Sequence, residues 1–327
     1  MRKPYIEELQ SIYAALDDDM SRSIYRHRLL YSLFGDKTTI KEMIYELFPD
    51  TKQIETSKVC YYGAGGGGIS FIQVKRDIPF IIDQYQEGSL CGIPIISLDD
   101  FVKRPDCEQF LVIVTIARED IRREVENELV RRGLRYILGC PGLQYFDLNA
   151  LDLQDEYFVD AGALDGNTTK SFFDQVKNGR SYVFEPNPRQ FEITKKRFCT
   201  CPQVELFPYG LSDRNNKVRF DPMDMNAGSA RCSESGSIQV QVRRLDSLLS
   251  DRKVTYIKMD IEGSELAALR GAERIIREKR PKLAISVYHK PEDIWEIPRL
   301  ILSYHPDYKL YLRHYSIMDT ETVLYAV

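Results

Sequence analysis

Apolar residues recur at helical spacing over the first 50 positions and then give way to short apolar runs. Ile6, Leu9 and Ile12 are three residues apart, as on one face of an amphipathic helix. From Lys58 onward, short apolar runs alternate with polar stretches, which is typical of a parallel α/β domain. The predicted strands of this first series are Val59–Tyr62, Phe80–Ile82, Ile93–Ile96, Phe110–Ile116 and Tyr136–Leu138.

A second and longer α/β series begins at Tyr157. Its predicted strands are Tyr157–Asp160, Ser181–Glu185, Val204–Phe207, Tyr256–Asp260 and Lys282–Val287, and its predicted helices are Thr168–Val176, Arg189–Phe198 and Glu265–Arg277. The stretch Lys217–Arg244 alternates apolar and polar residues and predicts an inserted β element. We therefore expect an α/β fold with two Rossmann-like units, over residues 57–150 and 151–327, preceded by a helical segment over residues 1–56.

Charge and composition exclude several classes of protein. The 327 residues carry a net charge of −4, so no overall positive field attracts nucleic acid or anionic lipid. The seven cysteines are an odd number without repeated C-x-x-C spacing, which predicts reduced thiols. The N-terminus lacks an apolar signal-peptide core, and the apolar run Phe110–Ala117 is far shorter than the roughly 20 residues of a membrane span. We expect a cytoplasmic protein.

A glycine-rich turn opens the first series. Gly63, Gly65 and Gly68 fit G-x-G-x-x-G after a strand and before a helix, a pattern that lets a pyrophosphate approach the helix N-terminus. Asp83 lies near the position of a ribose-binding acid. Two interpretations stay open: binding of a nucleotide or nucleotide-sugar at Gly63–Gly68, and a structural Rossmann-like module. NAD-dependent oxidation is disfavoured, because no hydride-transfer residues can be identified downstream.

The corresponding turn of the second series has a different charge. Asp160 and Asp165 flank its glycines, and Glu185 ends the following strand. Carboxylates repel a pyrophosphate but attract a sulfonium and an ammonium group. An acid that closes the second strand can accept both hydroxyls of a ribose. This turn therefore favours S-adenosylmethionine over NAD.

Asp260 ends a further strand, with Glu262 two residues later, and ligands of open α/β sheets bind at that edge. Six strings then occur in order: D-A-G-A-L-D-G-N-T, F-E-P-N-P, G-L-S-D, I-K-M-D-I-E-G-S-E, R-P-K-L and E-T-V-L-Y-A. Together they resemble the FkbM family of S-adenosylmethionine-dependent methyltransferases over about residues 155–327. The resemblance implies a class I methyltransferase fold for the C-terminal unit, and it does not extend to residues 1–150.

The resemblance also implies which residues contact the cofactor. The methionine part would be held by Asp160, Gly162, Ala163, Asp165, Gly166 and Thr168. Glu185 would bind the ribose, and the adenosine would lie against Pro186, Asn187, Leu211 and Ser212. A structural alternative stays open for the first loop, in which the glycines serve only the turn and Asp165, Asn167 or Thr168 caps the next helix.

Asp260, Glu262 and His289 are the candidate catalytic residues. Methyl transfer requires an acceptor oxygen in line with the sulfonium methyl and, for a hydroxyl, removal of its proton. His289 follows a predicted strand, and an ordinary histidine pKa of about 6.5 suits a general base. Asp260 can instead bind the cofactor ammonium or, with Glu262, a divalent ion. The sequence assigns no metal ligands.

The predicted function is S-adenosylmethionine-dependent O-methylation of a hydroxyl on a sugar, glycan precursor or secondary metabolite. The alternative is a nucleotide-sugar-binding or scaffold protein with a vestigial methyltransferase fold. The N-terminal unit is expected to present the acceptor or to mediate a homodimer. Neither a nucleic acid partner nor a membrane span is expected.

Overall fold

The computed structural model describes residues 5–74, 77–116, 118–221, 231–232 and 236–327. The chain divides into two compact units. The larger unit comprises residues 1–36, 144–314 and 320–327, and the smaller unit comprises residues 37–143 and 315–319. The sequence predicted three consecutive segments with boundaries at residues 56 and 150, whereas each of these two units combines separate stretches of the chain. The predicted boundaries stay a prediction.

Helices and strands alternate along most of the chain and are numbered in chain order. The helices are α1 (Ile6–Ala15), α2 (Asp19–Phe34), α3 (Lys37–Leu47), α4 (Gly66–Val74), α5 (Leu98–Val102), α6 (Glu119–Arg131), α7 (Asn167–Gln175), α8 (Pro188–Arg197), α9 (Leu245–Leu249), α10 (Glu265–Gly271), α11 (Glu273–Lys279) and α12 (Asp293–Tyr304). The strands are β1 (Lys58–Tyr62), β2 (Ile81–Ile82), β3 (Ser89–Leu90), β4 (Ile93–Ile96), β5 (Phe110–Val114), β6 (Tyr136–Leu138), β7 (Tyr157–Ala161), β8 (Arg180–Phe184), β9 (Val204–Phe207), β10 (Gly210–Leu211), β11 (Asn216–Asp221), β12 (Arg231–Cys232), β13 (Ile238–Arg243), β14 (Tyr256–Met259), β15 (Lys282–Ser286), β16 (Leu310–His314) and β17 (Thr322–Ala326). None of the helices in the described ranges is long and apolar enough to cross a membrane.

The larger unit contains a seven-stranded sheet in the order β16-β17-β15-β14-β7-β8-β9. Strands β15, β14, β7, β8 and β9 are parallel, and β17 is antiparallel to both of its neighbours. Central parallel strands are covered on both faces, which explains why every residue of β14 and all but the first residue of β15 are buried. The predicted Rossmann-like fold is confirmed, and the carboxyl ends of its parallel strands form one edge.

The first two helices belong to this larger unit. Helix α2 begins after Asp18, whose side chain accepts from the Ser21 backbone N–H, and ends at Gly35 in the left-handed conformation. It lies against the outer strand β16, where the Leu312 N–H donates to Ser21 Oγ over 2.9 Å. Arg313 of the same strand donates to the Asp18 carboxylate. Polar groups of the edge strand β16 are thereby covered by a helix.

A smaller sheet interrupts the helix–strand alternation, as predicted. Its order is β10-β13-β11-β12, and β11 pairs with β13 in antiparallel register, with Phe220 opposite Ile238. The predicted single helix Glu265–Arg277 is wrong, because the structure has α10 and α11 with Ala272 between them. The turn at Gly271 packs against backbone: a Cβ there would lie 2.0 Å from the Ser212 carbonyl oxygen.

The smaller unit is a six-stranded sheet in the order β3-β4-β2-β1-β5-β6, with only β3 antiparallel among the described strands of this sheet. Its glycine-rich turn is packed closely: a Cβ on Gly67 would lie 2.0 Å from the Thr115 carbonyl oxygen, and one on Gly68 would lie 2.1 Å from that of Gly63. Asp83 accepts from the Ala64 N–H over 2.8 Å. These contacts supply structural reasons for the motif, and nucleotide binding at Gly63–Gly68 stays a prediction.

Candidate active site

A cavity of about 210 Å³ opens at the carboxyl edge of the larger sheet, beyond β7, β8 and β14. Seven residues predicted for the site line it: Gly162, Glu185, Pro186, Asn187, Leu211, Asp260 and Glu262. A further acid, Glu321, also lines it, and no lysine or arginine does within the described part of the chain. A lining with four acids and no lysine or arginine favours positively charged ligands.

Glu185 follows β8 directly and ties two loops together. Its Oε1 accepts from the Asn187 N–H over 2.7 Å, and its Oε2 accepts from the Leu164 N–H over 2.8 Å. The side chain is only 5% exposed, and this burial raises its pKa to about 7, although both backbone donors act in the opposite direction. Glu185 is therefore a half-ionised group at neutral pH that lines the cavity.

The loop between β7 and α7 requires glycine for steric reasons. Gly162 has a φ of +76°, and a Cβ there would lie 2.0 Å from the Asp260 carbonyl oxygen. Gly166 has a φ of +79°, and a Cβ there would meet the Phe198 ring at 2.7 Å. Both residues thus allow the loop to pass close to its neighbours.

Asp160 lies beneath this loop and not in the cavity. Its carboxylate is fully buried, with Oδ1 3.0 Å from Lys258 Nζ and Oδ2 accepting from Thr169 Oγ1 over 2.7 Å. Lys258 also donates to the carbonyl oxygens of Ala161 and Gly162. Asp160 and Lys258 therefore hold this loop from below, and the cofactor contact predicted for Asp160 stays a prediction.

The remaining residues predicted for the cofactor are near the loops but do not line the cavity: Ala163, Asp165, Gly166, Thr168 and Ser212. Asp165 Oδ1 accepts from the Asn167 N–H over 3.1 Å just before α7, whose N-cap residue is Gly166 and has no side-chain cap. Ser212 donates its hydroxyl to its neighbour Asp213. The cofactor contacts predicted for these five residues stay predictions.

Asp260 is the centre of a hydrogen-bonded cluster at the end of β14. Its Oδ2 accepts from the Tyr145 hydroxyl over 2.8 Å, and its Oδ1 accepts from the Tyr288 hydroxyl over 3.2 Å. Burial alone would raise the pKa of Asp260, but the positive charges of His289 and Lys258 outweigh it and lower this pKa below its ordinary value. Asp260 is thus an ionised carboxylate at neutral pH.

His289 lies among three carboxylates. Its Nδ1 is 3.0 Å from Glu265 Oε1, and its Nε2 is 3.4 Å from Asp260 Oδ1 and 3.6 Å from Glu262 Oε2. Burial lowers the pKa of His289, but the three carboxylates raise it to about 9. An imidazole that is already protonated cannot accept a proton, which argues against the general-base role that an ordinary pKa suggested.

Glu262 and Glu321 complete the acidic side of the cavity. Glu262 is in the left-handed region with a φ of +55°, an uncommon conformation that is typical of functional turns. Burial raises the pKa of Glu262 to about 7. Glu321 accepts from Gln144 Nε2 over 2.8 Å, and burial raises its pKa to about 7 as well.

Residues 160–316 match the family model described as the methyltransferase FkbM domain. The chain carries an FkbM methyltransferase domain. A crystal structure of methyltransferase FkbM from Methylobacillus flagellatus KT aligns with a TM-score of 0.50 and 22% sequence identity, over 83% of this chain and 90% of that one. At this identity the structural likeness supports the fold alone.

Two relatives with methyltransferase names match this chain at low identity. The 2-O-methyltransferase NoeI of Sinorhizobium fredii is 24% identical over 188 residues, which cover 50% of this chain and 76% of NoeI. The hexuronic acid methyltransferase AglP of Haloferax volcanii is 30% identical over 95 residues, which cover 28% of this chain and 40% of AglP. The FkbM domain and these relatives identify an S-adenosylmethionine-dependent methyltransferase.

Sequence analysis missed several residues that surround the FkbM cavity. Lys258 could have been recognised from the sequence, since a lysine inside an otherwise apolar strand predicts a buried partner. Tyr145 and Glu321 could not, because they approach Asp260 from positions 115 and 61 residues away in sequence (260 − 145 and 321 − 260). Glu265 resembled an ordinary residue of the first helical turn.

Proposed function

We propose that this FkbM protein transfers the methyl group of S-adenosylmethionine to a hydroxyl group of a sugar or of a sugar-containing precursor. The observation that carries the proposal is the acidic cavity with Glu185 at the end of the second strand of the sheet. The names of NoeI and AglP, one a 2-O-methyltransferase and one a hexuronic acid methyltransferase, support a hydroxyl acceptor on a carbohydrate.

The charge of the cavity suits this cofactor. S-adenosylmethionine carries a sulfonium and an ammonium group, and four carboxylates line the cavity. Each oxygen of Glu185 uses one lone pair for a backbone N–H, which leaves a second lone pair for a ribose hydroxyl. We therefore assign the ribose to Glu185 and the adenine side to the lining residues Pro186, Asn187 and Leu211.

The acceptor then approaches the methyl group from the side of Asp260 and Glu262. Asp260 already accepts hydrogen bonds from two hydroxyl groups. Glu262 also lines the cavity, and within the described ranges its carboxylate has one polar contact, with His289 Nε2 at 3.6 Å. We assign proton acceptance to Glu262 on this geometry. The acceptor oxygen forms a bond to the methyl carbon, the methyl–sulfur pair returns to sulfur, and the hydroxyl proton moves to the carboxylate.

Calorimetric titration with S-adenosylhomocysteine tests the cofactor site. We expect the wild type to bind one equivalent and E185A to lose at least about tenfold in affinity, because hydrogen bonds to a charged group contribute about 1.5–3 kcal/mol. The matched control is E192A, which removes an exposed glutamate from α8 near the same loop. Absence of binding by the folded wild-type chain would refute the proposal.

Turnover with a panel of acceptors tests the substrate class. Transfer of a radiolabelled methyl group to uronic acids and neutral sugars is compared with transfer to phenols and to carboxylic acids. Methyl ethers on the sugars support the proposal. Exclusive methylation of phenols, or esters as the only products, would show that the acceptor class is different.

A further inference from the structure

Asp260, Glu265 and His289 present ligand atoms around a common point. One atom from each residue lies within 4.8 Å of those from the other two. The closest approaches are 3.0 Å between His289 Nδ1 and Glu265 Oε1 and 3.4 Å between His289 Nε2 and Asp260 Oδ1. Oxygen and nitrogen ligands about 2.1 Å from a small divalent cation are roughly 3 Å or more apart. One imidazole supplies one nitrogen to a given ion, so the ligand set is one His289 nitrogen and one oxygen each from Asp260 and Glu265, all within 4.8 Å of one another. This spacing suits one ion once the side chains close in on it.

Glu265 has a buried carboxylate oxygen for which the described residues supply no hydrogen-bond donor. The residue is fully buried, and its Oε1 accepts from the Ile261 N–H over 2.8 Å. Its Oε2 has no hydrogen-bond partner among the described residues. A buried carboxylate oxygen without a partner is costly, since it has lost its hydration without compensation.

The imidazole of His289 shows the same feature. Its side chain is nine-tenths buried, and neither ring nitrogen makes an aligned hydrogen bond to any described residue, although carboxylate oxygens lie within ion-pair distance of both. Without an ion these contacts are ion pairs of the protonated imidazole, and an ion that binds here takes the place of one imidazole proton.

We propose that Asp260, Glu265 and His289 bind one divalent cation at the acidic side of the cavity. Two carboxylates and one imidazole suit a hard or borderline cation, for which Mn²⁺ is the probe used below. Asp260 lines the cavity, whereas Glu265 and His289 are not among its lining residues, so the ion borders the cavity through Asp260.

Such an ion has a defined task in methyl transfer, and this part of the inference rests on the proposed function. A bound cation orients the acceptor hydroxyl and makes it more acidic. The proton then passes to Glu262, which lines the cavity beside Asp260, while the oxygen attacks the methyl carbon. The cation itself is neither oxidised nor reduced.

The test uses the full chain after removal of metal with a chelator. Mn²⁺ is added without cofactor or acceptor, and free Mn²⁺ is measured by electron paramagnetic resonance. We expect one Mn²⁺ to bind per chain and its affinity to fall at least about tenfold in E265Q. This variant keeps an oxygen that accepts from the Ile261 N–H while it removes the negative charge. The control is E273Q, which changes a half-buried glutamate on α11 that pairs with Arg277.

A second variant and a second ligand make the result unambiguous. If E265Q does not fold, H289Q replaces it, and circular dichroism verifies the fold of each variant. Equal Mn²⁺ binding by the wild type and the folded variants, or no binding by the wild type, would overturn the metal site. S-adenosylhomocysteine is titrated separately: its binding without Mn²⁺ binding refutes only the metal site, and Mn²⁺ binding without it refutes the proposed function.

Discussion

The elevated pKa of Glu185 predicts that cofactor binding depends on pH. Burial raises this pKa from its ordinary value of 4.5 to about 7. Ribose hydroxyls donate to the ionised carboxylate, so binding requires loss of the proton. At pH 6 only about a tenth of the free protein has Glu185 ionised, and at pH 8 about nine tenths has. The affinity for S-adenosylhomocysteine should therefore rise about tenfold from pH 6 to pH 8, or about 1.4 kcal/mol.

Calorimetry measures the same effect as a proton count. At pH 7 about half of the free protein has a protonated Glu185, so binding should release about half a proton per ligand. Titrations in buffers with different ionisation enthalpies give this number directly. Proton uptake instead of release would contradict the assignment of the ribose to Glu185.

The variant E185Q separates this carboxylate from its neighbours. Glutamine keeps the size of the side chain and one of its two acceptor oxygens, but it does not titrate. Glu262 and Glu321 also have pKa values raised to about 7, and any pH dependence that remains in E185Q belongs to them. The same tenfold rise in the wild type and in E185Q would refute the reasoning.

Three further predictions concern stability. K258M should lower the free energy of unfolding by about 3–5 kcal/mol, because it leaves the buried Asp160 unpaired, and urea denaturation should show this loss. G162A should cost more than about 3 kcal/mol or prevent folding, since its Cβ would lie 2.0 Å from a carbonyl oxygen, whereas G65A, with open space, should be nearly neutral by the same assay. The pKa of Glu185 is higher in the folded protein, about 7, than its ordinary value of 4.5, so protonation of Glu185 stabilises the fold. Its contribution to the free energy of unfolding should therefore fall by about 3 kcal/mol as pH rises from 4.5 to 7. Urea denaturation of E185Q at pH 5 and pH 8 should lack this part of the pH dependence.

The features that sequence analysis predicted correctly are local ones. The five parallel strands of the larger sheet were predicted from short, mostly apolar runs, and their ends differ from prediction by at most one residue, as for β8, which runs from Arg180 to Phe184. Residues directly after such strands, including Glu185 and Asp260, must come to the carboxyl edge in any parallel sheet. Their presence in the cavity lining follows from sequence and topology together.

Features that depend on distant packing could not be predicted in this way. Tyr145 precedes the first strand of the larger sheet and reaches Asp260 only because the chain folds back over that edge. The pKa of His289 is raised by carboxylates of the segment between β14 and the first turn of α10, and its own sequence neighbours do not show this. The covering of β16 by α2 depends on contacts such as that between Ser21 and Leu312, which no local pattern reveals.

A comparison of two acids shows why a glycine motif alone does not identify a ligand site. In each unit an acid at the end of the second strand accepts backbone N–H groups of the turn after the first strand: Asp83 accepts from Ala64, and Glu185 accepts from Leu164. Asp83 also accepts from Tyr85 and Gln86, so three backbone donors share its two oxygens, whereas two donors share those of Glu185. Glu185 keeps more acceptor capacity and lines a cavity with three further carboxylates. The acid most available to a ribose is thus in the turn with fewer glycines, because free lone pairs and an adjoining cavity determine binding more directly than the number of glycines does.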